Sequence, residues 1–339
     1  MFNLENLTKY QIFLKISQHS SFLSSIDCVL NIFCFLLLLF IVIIFVYLFI
    51  CLFVYIKFFI KKKKKMIPVL STVHYWMWDI WKTSADSRTN QYYLSKYEYY
   101  LPMLIMTVYF SFVTYYGPSF MKNRKAFELT KTIITYNALM VITNGYFFWQ
   151  TLKNFRFGYD IFDFEYKNDA QLNMDELELI KVEVSHQYLI TKFIDLLDTI
   201  FFVLRKKQSQ ITKLHLYHHV SVPMLGWIVF RVIPTNGPVA IFALFNTLIH
   251  VIMYSYYSLA ALGPSVQQYL WWKKYVTQIQ IYQFVIYSMF SWLFAYKQTG
   301  YPAYLQILAY TQPLIFLVLF SRFYISSYHK KSKNSLKSH

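Results

Sequence analysis

Charge is scarce in this chain: Asp, Glu, Lys and Arg make up 14% of its 339 residues, where a soluble domain carries about 25%. Acidic residues are the scarcer sign, 16 against 33 basic ones, so the formal net charge is +17. There are 7 glycines, and the three cysteines, Cys28, Cys34 and Cys51, all stand in the first sixth of the sequence. Neither a disulfide framework nor a zinc site follows from three cysteines so placed. Beyond Cys51 there is no thiol, so covalent chemistry in the main body must use another nucleophile. What fills the space is apolar: 57% hydrophobic residues and 21% aromatic ones, with a mean hydropathy of +0.34. Continuous apolar runs of bilayer length exclude a soluble enzyme, and they exclude a β-barrel, whose strands alternate. The expected class is an all-α, multi-pass membrane protein. The basic residues stand in short groups beside apolar spans, the pattern of membrane topology and not of a nucleic-acid-binding face.

Four regions follow along the chain. Residues 1 to 65 form an extension whose apolar run, Val29 to Ile60, ends in Lys61 to Lys65. It exceeds the ~20 residues of a spanning helix and reads as an anchor helix and not as a removed signal, whose core is shorter. Residues 66 to 96, with Trp76, Trp78 and Trp81, read as an interfacial linker lying along the surface. Residues 97 to 328 hold seven expected spans: Leu101 to Tyr116, Thr130 to Gln150, Tyr188 to Leu204, Leu214 to Val232, Val239 to Leu262, Val276 to Ala295 and Tyr301 to Phe320. Residues 329 to 339 form a basic tail. Basic residues follow the first, third, fifth and seventh spans, whereas the loop from Thr151 to Glu183 holds eight acids. Basic loops stay in the cytosol, which puts the C-terminus there and the acidic loop on the other side. A cytosolic Lys61 to Lys65 conflicts with that arrangement. Either the lysines are translocated, or part of the linker crosses, or the extension is poorly constrained.

The chemistry concentrates in Leu214-His215-Leu216-Tyr217-His218-His219, which puts three imidazoles on one helical face within about one turn. Ionisable residues within a membrane are costly and mark function unless they tie helices together. One reading is a di-iron site, but of the nine histidines four, His215, His218, His219 and His250, fall inside core spans, and a histidine-built di-iron shell needs more. The other is metal-free acyl transfer, with one imidazole as nucleophile or base and a second stabilising enolate charge. His250 shares a face with Asn246, Met253, Tyr254 and Tyr257. Lys192, Asp195 and Asp198 either form a stabilising intramembrane ion pair or orient the histidines. Arg205, Lys206, Lys207, Lys273 and Lys274 satisfy topology and could equally hold phosphates. Phe201, Phe202, Phe242, Phe245 and Phe284 are available to line an acyl tunnel. A transporter or binding protein is the rival class, although no inverted repeat or broken helix pair is visible.

Five blocks in order carry a resemblance: Met121 to Phe127, Lys192 to Lys207, His215 to His219, Asn246 to Tyr257, and Trp271 to Tyr275 with Gln280 and Gln283. Over residues 97 to 328 the chain resembles the ELO family of fatty-acid elongases, the membrane 3-ketoacyl-CoA synthases. It departs in having Asp195 where the family usually has Glu, and in its N-terminal extension. The resemblance implies a seven-helix core around an acyl tunnel in the endoplasmic reticulum membrane. It implies condensation of long-chain acyl-CoA with malonyl-CoA to 3-oxoacyl-CoA, CO2 and CoA, without cofactor or metal. His218 becomes the acyl acceptor and His250 its partner, with His215 and His219 completing the site. Membrane lipid and the ketoreductase, dehydratase and enoyl reductase of an elongation cycle are the implied partners, and nucleic acid is not.

Overall fold

A computed structural model describes residues 83–97, 99–166 and 174–329. The N-terminal run Val29 to Ile60, the lysine tract, Trp76, Trp78, Trp81 and residues 330–339 lie outside them. Helices stand over all seven expected segments. The first, α1 (Tyr100–Ser111), continues through a π-helical turn (Phe112–Tyr116) into Gly117–Met121. It is followed by α2 (Thr130–Asn154), α3 (Glu176–Ile194), α4 (Leu197–Leu204), α5 (Lys213–Val232), α6 (Gly237–Ala261), α7 (Lys273–Lys297) and α8 (Ala303–Tyr324). Among the described residues the extended pairing is one isolated bridge between Glu165 and Thr299.

Local chemistry sets the ends of these helices. Asp175 caps α3 by accepting from the Glu178 amide at 2.9 Å, and Glu176 and Glu178 place negative charge in its first turn, where the helix dipole favours it. Thr212 caps α5 through the amide of His215 at 3.1 Å. Prolines punctuate the interiors. Pro118 has no N–H for the Thr114 carbonyl, and the wider π turn just before it accommodates the ring. Pro313 likewise strands the Ala309 carbonyl inside α8. Ser291 of α7 donates to that carbonyl at 2.9 Å, so the break is satisfied by the neighbouring helix.

Two helices, Gly237–Ala261 and Ala303–Tyr328, are each apolar and long enough to cross a membrane. The others are diluted by polar residues, and those residues face inward: Asn137 and Asn144 of α2 are 2% and 1% exposed. The outward faces are apolar instead, with Leu104, Val108, Leu139, Ile142, Met289 and Trp292 all strongly exposed. Such an inside-out surface suits lipid and not water. The most extensive helix contact is α2 on α6, where Gly145 lets Val251 approach.

Residues 86–95, read from the sequence as part of a surface-lying linker, are instead packed into the helical body. Arg88 makes a buried pair with Asp86 at 2.8 Å and reaches Glu178 of α3 at 3.5 Å. Arg231 at the end of α5 donates to Thr89 and Asn90, both at 2.6 Å, and Trp227 donates to the Leu94 carbonyl at 3.0 Å. The stretch reads as polar from the sequence, but its charges are matched: Asp86 by Arg88, and Arg88 also by Glu178 of α3.

At the same end, the loop after α2 is clamped over the bundle. Lys181 pairs with Asp160 at 3.2 Å and Glu178 at 2.7 Å, and Arg156 pairs with Asp160 from the other side. Gly237 at the start of α6 abuts the Asp160 carbonyl so closely that a Cβ would also lie 2.9 Å from the Ile161 oxygen. Gly237→Ala should therefore lower the Tm of the detergent-solubilised protein by an amount equivalent to about 1–3 kcal/mol, the usual cost of overpacking. An unchanged Tm would show that the loop is not held there. Partial burial pushes the Asp160 carboxyl up, but the hydrogen bonds and charges of Arg156 and Lys181 outweigh it and hold the group below the ordinary carboxylate range. Its contribution is thus present above about pH 4 and lost as pH falls further. Protease cleavage within 155–174 should rise below that pH in the wild type and be raised at neutral pH in Asp160→Asn.

Candidate active site

Between α3 and α4, inside one expected span, the backbone at Asp195 and Leu196 stays right-handed but its hydrogen bonding tightens, the Leu196 amide reaching the Phe193 carbonyl at 3.3 Å. Lys192, Asp195 and Asp198 meet side chains of α6, and Thr199 meets His215 of α5. Lys192 is 2% exposed, and its ammonium lies 3.0 Å from Asp195 Oδ2 and 3.3 Å from Asn246 Oδ1. Asn246 Oδ1 also accepts from the Tyr188 hydroxyl at 2.8 Å. With its oxygen so engaged, the amide nitrogen of Asn246 donates to His250 Nε2 at 3.3 Å. His250 Nδ1 therefore carries the ring hydrogen and faces Asp195 Oδ2 at 4.0 Å. Five side chains, Lys192, Asp195, His250, Asn246 and Tyr188, thus follow one another around a closed loop. Tyr254, 1% exposed, places its hydroxyl 3.0 Å from Asp195 and 2.9 Å from Asp198, tying α6 to both carboxylates.

The imidazoles of α5 converge as their spacing requires. His215 and His219 stack with ring centroids 4.1 Å apart, and His218 lies 5.5 Å from His219. His215 Nε2 is 2.8 Å from the Thr199 hydroxyl. Neither His218 nor His219 has a hydrogen-bond partner among the described residues, and the Nδ1 of each is sealed from solvent; His218 differs in where its ring lies. Its ring packs edge-on against Phe316 of α8 at 5.5 Å. On α6, Asn246, His250 and Tyr254 are buried, whereas Tyr257 is 40% exposed and has turned off the inner face.

An apolar cavity begins at Tyr188 and Lys192 and passes Phe316, Gln312 and Phe284 toward Phe294 and Tyr301. None of the four histidines lines it. Two of them reach its wall: His218 packs on Phe316, and His250 is joined through Asn246 to Tyr188 and Lys192. Of the five phenylalanines expected to line a tunnel, Phe242 and Phe284 do so. Phe201 packs on Tyr136 and Phe202 on His215, and Phe245 is half-buried elsewhere. Arg205 ends α4, with Lys206 and Lys207 exposed just beyond it, and Lys273 and Lys274 are exposed at the start of α7. Lys206 adopts a positive φ of 54° and donates to the Lys122 carbonyl at 3.3 Å.

Sequence reasoning assigned no role to Tyr188, although it stands one helical turn before Lys192. Tyr109, whose hydroxyl donates to Thr199 at 2.8 Å, carries no local signal among 31 tyrosines.

The buried ion pair makes a stability test. Lys192→Met leaves the Asp195 carboxylate without its cation, and such losses cost about 3–5 kcal/mol, whereas replacing both partners is far milder. Tm should fall sharply in Lys192→Met and recover in large part in Lys192→Met/Asp195→Leu. A double variant no more stable than the single one would show that Asp195 is neutralised by another group.

Residues 95–336 match the family described as ELO: GNS1/SUR4 family. Very long chain fatty acid elongase 7 of Rattus norvegicus is 39% identical over 263 residues, 75% of this chain and 89% of the relative. Very long chain fatty acid elongase 7 of Drosophila melanogaster is 34% identical over 277 residues, covering 78% and 81%. Very long chain fatty acid elongase 4 of Homo sapiens is 35% identical over 262 residues, covering 76% and 79%. The helices, the HxxHH face of α5 and the block from Asn246 to Tyr254 all lie within the matched region. The chain belongs to the ELO, or GNS1/SUR4, family of fatty-acid elongases.

Proposed function

We propose that the protein condenses long-chain acyl-CoA with malonyl-CoA to give 3-oxoacyl-CoA, CO2 and CoA, as a very-long-chain 3-oxoacyl-CoA synthase. The observation that carries the reading is the contrast between two imidazoles. His250 Nε2 accepts from Asn246, whose oxygen is held by Tyr188 and Lys192, and its Nδ1 faces Asp195 at 4.0 Å. His218 lacks a partner and abuts the wall of an apolar cavity.

His218 attacks the acyl thioester carbonyl, the C–S bond breaks, and the imidazole hydrogen leaves on the departing thiolate as CoA-SH. The acyl-imidazole survives because the site is sealed among packed helices. Malonyl-CoA then loses CO2, and the electrons of the broken C–C bond become an enolate. That enolate attacks the acyl carbon, the C–N bond breaks, and the imidazole takes up one proton. Fixed dipoles and charges already aimed at the site stabilise the enolate without reorganisation: His250 donates from Nδ1, with the Lys192 ammonium close by. The acyl chain occupies the cavity, where each buried CH2 contributes about 0.8 kcal/mol. Arg205, Lys206, Lys207, Lys273 and Lys274 hold the CoA phosphates.

All seven helical segments cross the endoplasmic reticulum membrane in this reading, with the 151–183 loop lumenal and the C-terminus cytosolic. The ketoreductase, dehydratase and enoyl reductase of the cycle act on the product. A glycosylation acceptor inserted in 151–183 should be modified and one in the tail should not, and the reverse pattern would invert the topology. Purified protein given acyl-CoA and carboxyl-labelled malonyl-CoA should release labelled CO2, with or without a chelator. His218→Ala should abolish CoA release from acyl-CoA alone as well as condensation, whereas His250→Ala should impair condensation at least as much as acyl release. Normal CoA release in His218→Ala would remove His218 as acceptor, and a strict need for both substrates before any CoA appears would favour direct condensation.

A further inference from the structure

The hydroxyl of Tyr109 on α1 is buried, and its hydrogen goes to Thr199 Oγ1 at 2.8 Å. Thr199 is fully buried, and its oxygen also lies 2.8 Å from His215 Nε2. A hydroxyl has one hydrogen to give. Because Thr199 accepts from Tyr109, its own hydrogen is free for the nitrogen on its other side, and leaving it unmade inside the protein would forfeit about 1–3 kcal/mol. The chain of donation therefore runs in one direction, from Tyr109 through Thr199 to His215.

We infer that Tyr109 is a positioning residue that acts through Thr199 to hold His215 as the tautomer with its hydrogen on Nδ1. In that state the Nε2 lone pair of His215 is occupied, so His215 serves neither as base nor as acyl acceptor. Its remaining hydrogen sits on Nδ1, which has no partner among the described residues. That N–H is a donor for a carbonyl of the entering CoA substrate, at the end of α5 next to the basic residues that follow α4. The ring is wedged between His219, tilted by 32° at 4.1 Å, and Phe202, tilted by 52° at 5.3 Å, so the tautomer fixes the direction of donation. Three helices meet in the relay, which gives α1 a role in the chemistry although it carries no ionisable residue of the site.

The effect on rate rests on the condensation reading, but the tautomer does not, and the experiment separates the two. Full-length protein with 15N-labelled histidine, in nanodiscs, reports which ring nitrogen is protonated, and His215→Gln assigns the resonance. Wild type should show His215 protonated on Nδ1. Tyr109→Phe and Thr199→Val should each give a mixture of tautomers, while Thr199→Ser should keep the Nδ1–H signature. In Tyr109→Phe, kcat should fall about five-fold, the equivalent of one ordinary hydrogen bond, with KM for acyl-CoA unchanged. A wild-type signature of Nε2–H would overturn the inference. So would a Tyr109→Phe protein whose signature is unaltered, and an altered signature with unchanged kcat would overturn the positioning role. Absence of condensation in the wild type would overturn the elongase reading, and the spectrum would still decide the tautomer.

Discussion

A buried ammonium has to be neutralised where it sits, and the site of this protein is arranged around that requirement. Lys192 is removed from solvent among apolar helices, where the cost of an unpaired charge reaches several kcal/mol. Asp195, three residues on and therefore on the same helical face, supplies the carboxylate that meets the ammonium. Once that carboxylate is fixed, the remaining polar groups have little freedom. Tyr254 must reach Asp195 and Asp198, Asn246 must present its oxygen to Lys192 and Tyr188, and its nitrogen is then left for His250. The orientation of the His250 imidazole thus descends from an electrostatic condition on a different helix.

The same economy explains why the cavity stays apolar although polar residues are numerous nearby. Several polar side chains along it are tied to a neighbour: Gln312 accepts from Tyr217, Ser291 donates to the carbonyl that Pro313 leaves unbonded, and Tyr188 donates to Asn246. Bonds made inside the wall leave hydrocarbon facing the interior. At its far end the cavity is closed by Phe294 and Tyr301, which pack beneath the clamped loop after α2. The ion pairs of Asp160, Lys181 and Glu178 are therefore more than surface decoration, because they hold the cover of an apolar chamber.

Much of this was legible in the sequence for a physical reason. The helical segments announce themselves because a membrane allows few alternatives to a continuous helix, and HxxHH forces convergence because its spacing is that of a helical turn. The local tightening at Asp195 and Leu196 was hidden, since both residues keep helical backbone angles. The burial of Asp86 to Ser95 was hidden for the opposite reason: polar composition suggests a surface, and partners on α3 and α5 lie far away in sequence. Tyr109 illustrates the general limit, because its partner Thr199 is 90 residues distant and nothing local distinguishes it from any other core tyrosine.

Hydrogen-bond accounting then separates four histidines that look equivalent on paper. Two of them have Nε2 engaged by a donor whose own direction is fixed, His215 by Thr199 and His250 by Asn246. An imidazole bound in that way is oriented and its basic nitrogen is occupied, which suits a donor of hydrogen bonds. His218 and His219 have no such partner, and of these two His218 is the one whose ring abuts the cavity wall. A nucleophile needs an unshared lone pair with a path to the electrophile, and burial without a partner is costly unless the site gains something from it. His219, stacked between the other two rings of α5, fills the space that would otherwise let His218 turn away. The division of labour among the imidazoles is therefore set less by their shared motif than by what the neighbouring helices have already claimed.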